Sequence, residues 1–86
     1  MIDHKKFPVA WALLISELEE AHEHLGELIG QLEAEGTLDD SEYVVYLGHV
    51  FAHLNRAWHS RNLTTQISEE QWPKFSQFPE DVAPVG

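Results

Sequence analysis

The chain has no cysteine, a single methionine and only five lysine plus arginine residues in a length of 86. Without cysteine there is no disulfide framework, no thiolate zinc ribbon and no thiol nucleophile. Fifteen acids against those five bases give a formal charge of −10. That balance lacks the basic face a polyanion requires, so nucleic acid is not an expected partner. Long hydrophobic runs are missing as well. The longest, Phe7 to Ile15, falls far short of the roughly 20 apolar residues that span a bilayer. Lys5 and Lys6 ahead of that run imitate a secretory signal. However, Ser16-Glu17-Leu18-Glu19-Glu20 follows at once, without a small-x-small cleavage site, and the apolar spacing continues straight through. The expectation is therefore no cleaved signal, no membrane partner and a cytoplasmic location. None of the serines sits in a G-x-S-x-G setting, and there is no phosphate-cradling glycine loop or dinucleotide fingerprint, so no catalytic residue is expected.

What the chain does have is 43% hydrophobic residues, ordinary for one small folded domain and too many for a disordered one. Apolar residues recur at Phe7, Trp11, Leu14, Leu18, Ala21, Leu25, Leu28 and Leu32, four and three apart, with Ile15, His22 and Ile29 widening the stripe. That period predicts an amphipathic helix over about 8–35, opened by Pro8 and closed by a left-handed cap at Gly36. Gly26 and Gly30 interrupt it on one flank, as points of close backbone approach or as exposed positions. Asp39 with Glu42, bracketed by Leu38 and Tyr43, reads as the capping box and staple of a second helix over about 40–61. Its rows are Tyr43, Leu47, Val50, Leu54, Ala57 and Val44, Phe51, Trp58. The short connection forces an antiparallel hairpin spanning 8–62, after an irregular start over 1–7.

Residues 63–86 hold three of the four prolines and no sustained period. They read as an extended tail with one helical turn near 68–73, signalled by Ser68 and Gln71 and halted by Pro73. Its aromatics Trp72, Phe75 and Phe78 are expected to dock on the hairpin near Trp11 or Trp58. The expected fold class is all-α. The apolar arcs exceed what one facing helix covers, so two hairpins are expected to pair as a dimeric four-helix bundle. The expected function is an acidic interaction module that homodimerises and presents a face to another protein, with no cofactor.

The unusual feature is six histidines. If residues summing to about 75 pair across the hairpin, His22 stands level with His53, while His49 and His53 lie four apart on one helix. Together with Glu19 (or Glu23) they make a candidate site for a divalent transition metal such as zinc, which defines the alternative reading of a metal sensor or metal-dependent enzyme. Glu19-x-x-His22 supplies half of a di-iron motif, and helix two offers no second half. A core histidine bonded to a carboxylate is the commoner use of such a residue. A second cluster, Arg56, His59 and Arg61, is a candidate anion or phosphate contact. Its plainer reading pairs Arg56 with Glu19 or Glu20 and lets the arginines favour a helix C-terminus.

Overall fold

The computed structural model describes all 86 residues and is entirely helical, without strands. Helix α1 spans Pro8–Glu35, α2 spans Asp40–His59, and a short α3 spans Gln71–Phe75. The two long helices pack against each other as a hairpin, and α3 packs on α2.

Local chemistry fixes the ends. Pro8 occupies the first turn of α1, where its missing N–H is not needed. At the other end Gly36 adopts φ 71° and donates its N–H to the Leu32 carbonyl at 2.9 Å, a left-handed cap that an L side chain resists. Asp39 does precede α2 in extended conformation, but its side chain makes no capping bond; its carbonyl accepts the N–H groups of Glu42 and Tyr43 instead. The capping box forms in the tail. Ser68 Oγ accepts the Gln71 N–H at 3.1 Å while Gln71 Oε1 accepts the Ser68 N–H at 2.9 Å. Pro73 lies within this turn rather than ending it, because its fixed φ suits a helix and the chain stays helical to Phe75. Residues 1–7 are tied down too. Asp3 Oδ1 accepts the N–H groups of Lys5 and Lys6, the Ile2 N–H reaches the Arg61 carbonyl at 2.8 Å, and Ile2 is buried.

The seam between the helices takes only part of the predicted stripes: Leu14, Ala21 and Leu28 on α1, and Val50 and Ala57 on α2. The buried positions of α1 are Ala10, Leu14, Ala21 and Leu28, interleaved with half-buried Glu17, His24 and Gln31. On α2 they are Val50, His53, Asn55, Arg56 and Ala57, with Ser60 just beyond the helix. Ile15, Leu18, Leu25, Ile29 and Leu32 stay exposed, as do Val44, Phe51 and Leu54. Each of these rows is turned about a quarter-turn from its seam. In antiparallel helices the two turns have the same sense across the hairpin, so both rows emerge on one face. The opposite face carries Glu17, Glu20, His24, His49 and Arg56.

Gly26 and Gly30 look into open space: a Cβ at either would meet nothing within 4 Å. Each therefore weakens α1 without relieving a contact inside the chain. Gly26→Ala with Gly30→Ala is expected to stabilise by about 1 kcal/mol per site and raise the melting temperature by several degrees. Calorimetry checks this, and a lower melting temperature would show that another backbone lies against these positions.

Candidate functional site

The polar face is organised by Arg56, whose side chain is only 7% exposed. Its Nε donates to both Glu17 oxygens at 3.1 Å, its Nη1 donates to Ser76 Oγ at 2.8 Å, and its guanidinium lies 4.2 Å over the Trp72 ring. The same carboxylate accepts from His53 Nδ1 at 2.9 Å. Arg56 Nη2 also stands 3.1 Å from that nitrogen. A nitrogen donating to a carboxylate cannot accept from a guanidinium as well. Glu17, which only accepts when ionised, decides the tautomer, and we assign the Nδ1 proton on that ground. The other ring nitrogen, Nε2, faces Glu20 Oε2 at 3.3 Å. No buried polar side-chain atom is left without a partner.

His53 is also the meeting point of three imidazoles. Ligand atoms of His24, His49 and His53 all lie within 4.8 Å of one another. The His24 ring is 5.3 Å from His53, nearly parallel at 17°, and 5.3 Å from His49 at 43°. Of the residues singled out from the sequence, the structure thus brings His49 and His53 together. His22 is exposed on the face that carries Leu25 and Ile29, and Glu19 and Glu23 are exposed as well. The partner from α1 is His24, one position set away in rotation, and the carboxylates that reach His53 are Glu17 and Glu20. The signal for them was available: positions 17 and 24 continue in threes and fours with Ala21 and Leu28 of the predicted stripe, at its edge, where their polarity obscures them.

Beside this cluster lies a cavity of about 330 Å³. Glu17, Glu20 and His53 are among its polar lining residues, and Leu13, Leu14 and Trp72 among its apolar ones.

The Arg56, His59 and Arg61 cluster directs its contacts to the chain's own tail. His59 Nε2 lies 3.0 Å from the Gln77 carbonyl and its ring 5.6 Å from Phe75. Arg61 stacks 3.6 Å over Trp58, donates to the Trp58 carbonyl and lies 3.8 Å from Asp81. Arg56 pairs with Glu17, not with Glu19 or Glu20. Asn55 Nδ2 donates to the Ser76 carbonyl, and Phe78 meets Phe51 edge-on at 5.1 Å. The Trp58 indole N–H donates to Asp81 at 3.0 Å, and this bond, assisted by Arg61 and His59, holds the Asp81 carboxyl below its usual value. Tail and hairpin are thus stitched along the C-terminal half of α2.

The chain matches no protein-family model, no curated protein and no solved structure. No helix is long and apolar enough to cross a membrane.

Proposed function

We propose that this chain is a helical interaction module whose working unit is a homodimer. The observation that carries the reading is the exposed apolar row on both long helices. Leu18 and Ile29 are each 47% exposed and Val44 is 65% exposed, at positions where a helix spaced in threes and fours meets a neighbour. No acid interrupts the α1 row, although that helix carries seven, from Glu17 to Glu35.

The surface area supports the same reading. A monomeric protein of 9.9 kDa exposes about 5,200 Å² by the usual size scaling, whereas this chain exposes 6495 Å². Its Cα radius of gyration, 14.8 Å, exceeds the roughly 12 Å of a compact chain of this length. Part of the excess belongs to the extended end beyond Pro79. The whole excess, about 1,300 Å², is large enough to contain the roughly 800 Å² that each partner buries in a standard interface. A second copy fits the row best, because two antiparallel helices present the same spacing twice and a two-fold axis closes them into four helices. The acidic outer side of α1 then remains in water on both copies, free to meet a basic protein.

Sedimentation equilibrium tests this directly. The expected mass is about twice 9.9 kDa, with tighter association at higher salt because screening relieves repulsion between two acidic copies. A single species of one chain's mass across the whole concentration range would sink the proposal.

A further inference from the structure

We propose that His24, His49 and His53 form a binding site for one borderline divalent transition-metal ion, with Glu20 as its fourth ligand. The site lies on the face opposite the apolar row and does not depend on the pairing proposed above.

Three observations carry it. The first is convergence: three imidazoles from two helices bring their ligand atoms within 4.8 Å of one another. Tetrahedral coordination at Zn–N of about 2.0–2.1 Å needs nitrogens roughly 3.3 Å apart, so the closing movement is about 1.5 Å at most. His24 and His49 supply it. One is half-buried and the other exposed, while His53 is held in place. Closure requires His24 to leave its near-parallel stack on His53, since parallel rings do not aim their lone pairs at one point. That rotation is about side-chain bonds alone.

The second observation is the orientation of His53. Its Nδ1 proton is taken by Glu17 at 2.9 Å, and Glu17 is in turn fixed by Arg56. A carboxylate on the far nitrogen is how metal-ligating histidines are commonly held in one tautomer, with the near nitrogen's lone pair presented to the ion. The other ring nitrogen, Nε2, is free to ligate and faces Glu20 at 3.3 Å. Glu20 lies outside the mutual reach of the three imidazoles and would swing in by side-chain rotation to complete the shell.

The third observation is the ligand chemistry against its background. Three imidazoles and one carboxylate, with no thiolate, suit Zn, Co, Ni or Cu, and fall short of the all-oxygen shell that Ca or Mg prefers. The surrounding charge of −10 draws cations toward the site.

The test uses the full chain without a histidine tag, with Zn²⁺ for calorimetric titration and Co²⁺ for absorption. The proposal expects one ion bound per chain, the strong visible bands of four-coordinate Co²⁺, and a melting temperature raised by about 10 °C or more at a hundredfold excess over Kd. Because His53 is built into the core, the decisive variant is His24→Gln with His49→Gln, which leaves the Glu17–His53–Arg56 contacts untouched. It should weaken Zn²⁺ binding roughly 100-fold or more, and Glu20→Gln roughly tenfold. His22→Gln should change nothing. Binding that survives unchanged in the double variant, no saturable binding at all, or half an ion per chain would each overturn a site completed within one chain.

Discussion

Replacing Arg56 with alanine is expected to destabilise the protein by about 3–5 kcal/mol, a large part of the 5–15 kcal/mol that holds a small domain together. The reason lies in what remains. Glu17, 13% exposed at its side chain, would keep only the His53 Nδ1–H close by and lose the Nε–H that contacts both its oxygens. Ser76 and Trp72 would lose their tie to α2 at the same time. Arg56→Lys should fall between the two, since an ammonium keeps the charge but cannot reach Glu17 and Ser76 together or stack as a plane. Combining Arg56→Met with Glu17→Gln should recover part of the loss, because the cost comes mainly from stranding a buried charge. Urea unfolding of the four proteins checks the series. An alanine variant within 1 kcal/mol of the parent would mean that water enters freely and the ion pair contributes little.

That pair also shows where reading the sequence stops. Both ends of α1 and the start of the last turn were legible because they are local: Pro8, Gly36 and the Ser68–Gln71 box each act within a turn. Pro73, by contrast, does not end α3, and Asp39 makes no side-chain cap. Level along the hairpin was legible too, since a short connection leaves little freedom, and His24 does stand beside His49 and His53. Rotation about each helix axis was legible only in part, since Leu14, Ala21, Leu28, Val50 and Ala57 of the apolar rows do face the seam. Hydrophobicity places Leu18, Leu25 and Ile29 inward, and His22 with them. The chain instead turns its small residues Ala10, Ala21 and Ala57 into the seam beside Glu17 and His24. A single hairpin satisfies its ion pair and its tail in this way, and Leu18, Leu25 and Ile29 are left exposed. Nothing in the period of one helix records which of two adjoining rows packs within the chain and which stays exposed.

Leu25→Lys with Ile29→Lys should therefore do more than separate two copies. In a single chain the most enclosed side chain is Leu28, at 2%, and no large side chain is sealed below that. Each leucine or isoleucine buried at a pairing face contributes about 1.5–3 kcal/mol, so two per chain amount to much of the stability of a domain this small. Lysine is the informative replacement: it reduces the net negative charge, so failure to associate would reflect the lost apolar contact and not added repulsion. The expected result is one chain's mass in sedimentation, a melting temperature at least about 10 °C lower, and melting that no longer shifts with concentration. Lysine at Val9, which is 72% exposed and lies off the apolar row, should leave both mass and melting unchanged. If the double variant keeps the parent's mass, the copies meet elsewhere. If it becomes monomeric without losing melting temperature, the hairpin with its docked tail is self-sufficient, and its stability comes from the Arg56 network and not from the paired face.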